Sequence, residues 1–489
     1  MMNNYSMKKA VIINACGKYS TVVLQLIVNA ILARLVSPDD FGIIAIVTVF
    51  STFFMMISDM GFSTAIVQRK DLKETEINNI FSFTVVAGVV LALLFCGLGY
   101  VIASFYKDEV FVPLSYFLSI SLFFNTINMV PNGKMNRDKR FVSIAVRTVV
   151  SYAIAAAIAI GLALAGWRYY AVVIQTILSA FIIFVWNYII VRPRLYFKGC
   201  IKSIKKIINY SGFQFAFNIV NYFSRNLDNL LTGKYFGKAD LGYYNKAYQL
   251  MLYPVNNLAG VVTPAVHPIL SDYQDHKDII YQKYIKLEKV LFICAGFIAP
   301  FCFLASREII LIMYGNQWME SIACFTMLSL AILPQFVGSP TGAIYQSLGK
   351  TKLLFINSII NTFITIAGIL IGIIIGGDIV SLSTCVAISY IVHFFTTNII
   401  LVKVGCETSF LKYLRTLVPN FLVVIAVYAA SILYPFEFNN IILSIAIKGI
   451  YLGVVFVVML FLTREHKVLL ELIRRKRNNE RPISKENEE

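Results

Sequence analysis

Charged side chains are scarce in this 489-residue chain, at 14% of the residues, whereas hydrophobic residues make up 58% and the mean hydropathy is +0.73. Soluble domains carry about 25% charged and about 45–50% apolar residues. The composition therefore disfavours a soluble enzyme, a disordered chain and a nucleic-acid-binding protein. The formal net charge of +17 needs another explanation.

Patterns that would support catalysis or metal binding are also missing. None of the eight cysteines forms a Cys-x-x-Cys pair, and the four histidines are scattered. The sequence has no phosphate-binding Walker loop, no His-Glu-x-x-His motif and no recognisable Ser/His/Asp arrangement. We therefore predict no catalytic residue, no metal site and no cofactor, and we interpret the cysteines as small hydrophobic residues.

Long apolar runs are what the sequence does contain. A membrane-spanning helix needs about 20 apolar residues, and runs this long do not fit barrel strands. We predict an all-α polytopic membrane protein with about 14 transmembrane helices. The first run follows two lysines but has no clear cleavage site, so we interpret it as a retained helix. The predicted spans are 11–33, 41–60, 78–104, 110–131, 142–165, 169–191, 210–232, 241–266, 286–306, 321–345, 353–376, 379–402, 414–434 and 441–463.

Lysine and arginine are distributed unevenly between the two sides of these spans. With both termini in the cytoplasm, about 32 of the 43 lie in inner segments and about six in outer connectors. This asymmetry follows the positive-inside rule and predicts cytoplasmic termini. Topology thus accounts for the basic charge, and no nucleic-acid partner is needed. The basic segment 464–477 is predicted to lie on anionic lipids of the inner leaflet, with a disordered end after it.

Two short segments match each other at a constant offset of 200 residues. One joins spans one and two, and the other joins spans seven and eight. Both read small, cation, two variable residues, small, two variable residues, Asp, aromatic or Leu, and Gly. We predict that they are equivalent tight turns at the outer ends of two repeated halves. Their marker residues are Arg34, Asp40 and Gly42 in the first turn and Lys234, Asp240 and Gly242 in the second.

The helices that precede these turns carry matching polar stripes. Polar residues recur at steps of three or four in span one, which places them on one helical face, and the same offset gives a second stripe in span seven. The two copies share one orientation, which indicates a parallel repeat, a known transporter plan. The alternative is an old duplication with no present role. The stripes consist of Asn14, Lys18, Thr21, Gln25 and Asn29, and of Gln214, Asn218, Asn221, Arg225 and Asn229.

Ionisable residues inside the spans are candidate ligand-binding groups. Each costs about 2.5–3.5 kcal/mol at mid-membrane and needs a partner or a wet cavity. Arg225 and Asp228 are three residues apart and could form a structural pair. Lys18 and Lys246 have no acidic neighbour at helical spacing, which favours substrate contact, although Lys18 could instead snorkel to the membrane surface. Gln249 extends a polar face in span eight, which interhelical hydrogen bonds would equally explain.

Four segments carry a resemblance to a known family. They are Arg34–Gly42, Asp59–Phe62, Asn226–Tyr244 and Pro264–Ser271. Together they resemble the Wzx-type polysaccharide flippases, and more narrowly the colanic or teichuronic acid exporter branch of the multidrug/oligosaccharidyl-lipid/polysaccharide (MOP) superfamily. The likeness covers roughly residues 10–465.

The resemblance implies a fold like that of the superfamily's multidrug (MATE) branch. Two parallel six-helix lobes would surround a central cavity, with two further helices after them. The corresponding segments are 1–200 for helices 1–6, 201–402 for helices 7–12, 403–463 for helices 13–14, and 464–489 for the cytoplasmic tail.

The resemblance also implies a function in the bacterial inner membrane. The chain would flip undecaprenyl-pyrophosphate-linked oligosaccharide to the outer leaflet by alternating access, for O-antigen (lipopolysaccharide), capsule or exopolysaccharide synthesis. A polymerase and a chain-length regulator of the same pathway are possible partners. Lys18, Arg225 and Lys246 would make the cavity cationic toward pyrophosphate. The predicted cavity residues are Lys18, Thr21, Gln25, Asn29, Asn218, Asn221, Arg225, Asp228, Asn229, Lys246 and Gln249.

Two other functions compete with this one. A cation-coupled multidrug antiporter would favour an acidic cavity, whereas the stripe here is rich in amides and net cationic. A membrane polysaccharide polymerase or ligase would usually need a large external loop, and the outer connectors here are short. The internal repeat would also be unexplained in a polymerase or ligase.

Overall fold

A computed structural model describes residues 7–59, 62–197, 212–259, 266, 270–436, 438–468 and 470–471. Every regular element in these ranges is helical, which confirms the predicted all-α class. The side chains of 7–16, 212–218, 220, 221 and 259 are not described. Asn14, Gln214, Asn218, Asn221 and most of the basic tail therefore lie outside the described side chains.

The helices follow the predicted spans closely along the chain. In the first half they are α1 (Met7–Leu35), α2 (Pro38–Asp59), α3 (Phe62–Gln68), α4 (Glu74–Tyr106), α5 (Phe111–Arg137), α6 (Phe141–Leu164), α7 (Arg168–Val191), α8 (Gly212–Tyr235) and α9 (Lys238–Pro254). In the second half they are α10 (Lys277–Leu304), α11 (Ser306–Met313), α12 (Glu320–Ser329), α13 (Ile332–Gly338), α14 (Thr341–Ser347), α15 (Thr351–Ile371), α16 (Ile379–Ile400), α17 (Phe410–Ile432) and α18 (Ile441–Leu462). Single π-helical turns extend α9, α15 and α16.

Within the described ranges, 11 helices are long and apolar enough to cross a membrane, or 12 if one bent pair counts as a single span. The predicted total of 14 stays a prediction, because α8 and α9, which occupy spans seven and eight, are not among these helices; α9 has only 17 residues. The predicted span 241–266 is helical from its start to Pro254 and continues as a π-helical turn at Val255–Ala259, while residues 260–265 lie outside the described residues.

The predicted span 321–345 is not one straight helix. It is divided into α12, α13 and α14, and the two parts of the span differ in direction by 43°. Pro334 lies one turn after the break between α12 and α13, and Pro340 lies between α13 and α14. Proline has no N–H to donate to the carbonyl four residues earlier, so each one weakens a continuous helix at this position.

The chain divides into two compact units. Unit 1 contains residues 1–245 and 313–317, and unit 2 contains residues 246–312 and 318–489. In unit 1 a core of large side chains, including Phe95, Phe111 and Leu241, packs between the helices. In unit 2 the largest core cluster includes Phe292 and Phe394. The predicted lobes 1–200 and 201–402 remain a prediction about the internal repeat.

The two turns of unit 1 have matching helix boundaries. Helix α1 ends at Leu35 and α8 at Tyr235, while α2 begins at Pro38 and α9 at Lys238. The backbone bonds match too, since the first-turn N–H of Phe41 and of Leu241 each reaches a carbonyl four residues earlier at 3.1 Å. The offset of 200 residues read from the sequence is thus reproduced in the backbone.

Gly42 and Gly242 pack these turns directly against each other. A Cβ added to Gly42 would clash with the backbone carbonyl of Lys238, and one added to Gly242 would clash with that of Pro38. Pro38 and Lys238 are themselves equivalent positions, so the contact is reciprocal. Such a close approach of two backbones requires glycine at both positions.

Polar residues of the turns bind neighbouring helices of unit 1. Asp40 is 2% exposed and forms an ion pair with Arg168 at 2.8 Å. Lys238 pairs with Asp108 after α4, and Lys234 donates to the Phe105 carbonyl at the end of that helix. These contacts hold the turns in place and give them a structural role.

Candidate substrate-binding site

The predicted cavity residues differ sharply in exposure. Lys18, Arg225 and Gln249 are exposed, and Thr21, Gln25 and Asn29 are half-buried. Asp228, Asn229 and Lys246 are between 2% and 5% exposed. Only the first two groups can therefore meet a ligand in this conformation.

The buried members in unit 1 form a network that joins α8 to α9. The Tyr244 hydroxyl donates to Oδ2 of Asp228 at 2.7 Å, and the Asn245 amide donates to Oδ1 of Asn229 at 2.9 Å. The backbone N–H of Asn229 donates to Oδ1 of Asp228 at 2.8 Å. Buried polar groups need such partners, so this part of the stripe is structural.

The possible pair between Arg225 and Asp228 is not formed in this structure. Asp228 is turned into the network with Tyr244, whereas Arg225 is exposed. The spacing of three residues would allow the pair, but the Asp228 carboxylate accepts a hydrogen bond from Tyr244 on the adjacent helix instead. Arg225 is left available for a ligand.

Arg225 is exposed in the middle of α8. It lies ten residues before Tyr235, which corresponds to about 15 Å along the helix. A cation at such depth needs water or an anion around it rather than hydrocarbon. Lys18 is also exposed, on α1, the helix that the repeat relates to α8. These two residues give unit 1 cationic groups on both copies of the repeated helix.

Sequence reasoning missed a buried carboxyl group in unit 2. Glu288 on α10 is 0% exposed, and its Oε1 lies 2.7 Å from the Tyr413 hydroxyl. It was missed because the ninth span was predicted to begin at residue 286, whereas α10 begins at Lys277 and places Glu288 three turns inside the helix. The sequence did contain an indication of this site, because Glu288 lies four residues after Tyr284 and only Lys289 separates it from an apolar run.

A buried ion pair between Glu308 and Lys448 in unit 2 is structural. Oε1 of Glu308 on α11 accepts hydrogen bonds from Lys448 at 2.6 Å and from Ser444 at 2.7 Å, both on α18.

Among the described residues, no group of three or more His, Cys, Asp or Glu side chains could hold a metal ion.

Comparison with known proteins gives consistent matches. Residues 31–323 match a family described as polysaccharide biosynthesis protein. The chain is 23% identical to the teichuronic acid biosynthesis protein TuaB of Bacillus subtilis over 68% of this chain and 69% of that protein. It is also 23% identical to the lipopolysaccharide biosynthesis protein WzxC of Escherichia coli over 81% of this chain and 80% of that protein.

Solved structures match over most of the chain as well. The lipid II flippase MurJ in an inward closed conformation aligns with a TM-score of 0.69 at 16% identity, covering 93% of this chain and 99% of that one. An inward-facing MATE-family multidrug transporter of the MOP superfamily aligns with a TM-score of 0.59 at 15% identity, covering 79% and 95%. At these identities the likeness establishes the fold, which confirms the expected MOP/MATE-like architecture.

Proposed function

The chain belongs to the polysaccharide biosynthesis protein family, and we propose that it flips undecaprenyl-pyrophosphate-linked oligosaccharide from the cytoplasmic to the outer leaflet. The observation that carries the proposal is an exposed cation on each copy of the repeated polar helix, Lys18 on α1 and Arg225 on α8. Flipping by alternating access would supply O-antigen, capsule or exopolysaccharide synthesis. The relatives named for teichuronic acid and lipopolysaccharide biosynthesis support this substrate class.

A pyrophosphate substrate would account for the exposed cations on α1 and α8. An anionic headgroup must cross roughly 30 Å of hydrocarbon, and fixed donors lower that barrier by replacing water. Arginine can hold a phosphate bidentately, and lysine acts as a movable point charge. Half-buried Thr21, Gln25 and Asn29 on α1 would add hydrogen bonds to sugar hydroxyls.

A cation-coupled multidrug antiporter is the second candidate, because the fold also matches a multidrug transporter. A cavity for cationic drugs needs an available carboxylate. In unit 1 Asp228 is 3% exposed and already bound to Tyr244. The exposed cations therefore favour an anionic substrate.

We expect Arg225→Ala to reduce polymer export by about tenfold or more, because a hydrogen bond to a charged group contributes about 1.5–3 kcal/mol. The measurement is surface polysaccharide in a host that lacks its own flippase, with membrane abundance of each variant matched. Arg225→Lys should restore part of the export, since it keeps the charge. The control is Arg415→Ala, another exposed arginine, on α17. Normal export in Arg225→Ala at equal abundance would refute the role of this residue.

We also propose an inner-membrane location with both termini cytoplasmic, a polymerase and a chain-length regulator as partners, and contact of the basic tail with anionic lipids.

The expected topology has a direct test. Alkaline phosphatase fused after Glu489 should be inactive, because the positive-inside rule places the C-terminus in the cytoplasm. A fusion to the connector at Gly166, between α6 and α7, is the matched control and should be active. The reverse pattern would contradict the orientation.

A further inference from the structure

Glu288 is a carboxyl group enclosed within unit 2. Its Oε1 lies 2.9 Å from the Tyr284 hydroxyl and 2.7 Å from the Tyr413 hydroxyl, while its Oε2 has no hydrogen-bond partner among the described residues. The adjacent cation, Lys289, is bound to Glu465 at 2.8 Å. Burial of an unpaired carboxylate costs several kcal/mol, so this environment favours the neutral acid.

The number of hydrogen atoms available for hydrogen bonds around Glu288 also favours the protonated carboxyl group. Tyr284 has one hydroxyl hydrogen but two neighbours, Glu288 and Oδ1 of Asn398 at 2.6 Å. The Asn398 amide group donates to the Phe394 carbonyl, so its Oδ1 faces Tyr284 as an acceptor. With the Tyr284 hydrogen directed at Asn398, the contact between Tyr284 and Glu288 requires a hydrogen from the carboxyl group. The geometry therefore fits a protonated Glu288 that donates to Tyr284 and accepts from Tyr413.

The other groups near Glu288 do not replace this proton. Tyrosine and cysteine are neutral at physiological pH, and asparagine does not titrate. Of the charged residues on α10, Lys289 pairs with Glu465 and Lys277 with Glu407. Asp278 and Lys286 of α10 and Lys412 of α17 line the adjacent cavity. The titratable groups facing Glu288 are Tyr281 and Tyr284 from α10, Tyr413 from α17 and Cys406 from the segment after α16.

A cavity of about 530 Å³ gives this region a route to water. Its wall includes Tyr281, Ile285 and Lys289 of α10, which flank Glu288 along the helix, and Lys412 and Thr416 of α17. A water molecule occupies about 30 Å³, so the cavity has room for a connected group of waters. Tyr281 lines the cavity and belongs to the same core cluster as Tyr284 and Tyr413, and its buried hydroxyl has no hydrogen-bond partner among the described residues.

We propose that Glu288 is a proton-binding site and that loss of its proton to the cavity is coupled to the transport cycle. The O–H bond of the carboxyl group breaks, the proton passes to a cavity water, and the electron pair remains on the carboxylate. Tyr284 then turns its hydroxyl hydrogen from Asn398 to the carboxylate. This exchange removes a hydrogen bond between α10 and α16 and so links protonation to helix packing. The coupling to transport rests on the proposed flippase function; the proton site itself does not.

Infrared spectroscopy of the purified full-length protein tests the proton site without a substrate. A protonated carboxyl group has a C=O stretch that carboxylates lack. We expect such a band at neutral pH, its loss in Glu288→Gln, and its retention in Glu407→Gln. Glu407 is a suitable control because it is exposed and hydrogen bonds from Lys277 and Lys350 lower its pKa. Absence of the band in the wild-type protein, or its persistence in Glu288→Gln, would overturn the site.

A second variant covers the case in which Glu288→Gln does not fold. Tyr413→Phe keeps the ring and removes the hydrogen bond that Oε1 of the carboxyl group accepts, so the frequency of the C=O band should change. An unshifted band in this variant would also count against the assignment.

Export measurements then test the coupling. Glutamine keeps the shape of Glu288 but cannot release a proton, so we expect loss of export in Glu288→Gln and normal export in Glu407→Gln at equal abundance. Normal export in Glu288→Gln would refute the coupling even if the infrared band is present. If the wild-type chain does not restore export in the flippase-deficient host, the flippase proposal fails, while the infrared result still decides the proton site.

Discussion

Gly42→Ala should lower the stability of the protein by about 1–3 kcal/mol or more, the usual cost of overpacking a filled site. The new Cβ would meet the backbone carbonyl of Lys238, the first residue of α9. A carbonyl cannot rotate away as a side chain can, so the two turns must separate. Gly242→Ala should have the same effect, because its Cβ would meet the carbonyl of Pro38. Thermal unfolding of the detergent-purified protein, followed by fluorescence, measures the change.

Gly161→Ala is the matched control for this pair. Gly161 lies within α6, and an added Cβ would have nothing within 4 Å. Alanine is favoured over glycine inside a helix by about 1 kcal/mol, so this variant should be as stable as wild type or more so. If Gly42→Ala unfolds at the same temperature as Gly161→Ala, the turns do not need their close contact.

Lys448→Met should destabilise unit 2 by about 3–5 kcal/mol, because it leaves the buried carboxylate of Glu308 without its cation. The two side chains are 12% and 8% exposed and 2.6 Å apart. Replacing both residues, as in Lys448→Met with Glu308→Leu, should recover most of the loss, since no buried charge remains. Thermal unfolding of the two single variants and the double variant measures the interaction energy between the two residues. A double variant less stable than either single variant would contradict the expected recovery.

The ion pair between Glu308 and Lys448 should also make the free energy of unfolding depend on pH. Burial raises the pKa of Glu308, but hydrogen bonds from Lys448 and Ser444 outweigh it and hold the pKa below its ordinary value of 4.5. A depressed pKa stabilises the folded state above the unfolded value, and this contribution is lost as the pH falls below 4.5 and through the folded pKa. The double variant lacks this acid-dependent loss. If the wild-type protein and the double variant lose equal stability in acid, the loss comes from other carboxyl groups.

The helices and the repeat could be predicted from the local composition of the sequence. Apolar runs bounded by charged connectors place a helix end wherever the polarity changes, so α4, α6, α7 and α18 lie close to their predicted bounds. The repeated turns were also visible, because glycine, aspartate and a cation at fixed spacing are local requirements of a tight turn between helices. Where proline interrupts an apolar run, as at Pro334, composition alone did not reveal the bend.

The roles of individual polar residues were decided only by tertiary structure. Arg225 and Asp228 are three residues apart on α8, yet Asp228 is buried and bound by Tyr244 of α9, while Arg225 is exposed. Glu288 gained its surroundings from Tyr413 and Asn398, which are more than 100 residues away. The amino-acid sequence by itself determined the membrane-protein class, the helices and the repeated turns, because each depends on short-range hydropathy and backbone geometry. Burial, hydrogen-bond partners and the reciprocal contact of Gly42 and Gly242 depend on which distant helices meet, and only the packed fold decides that.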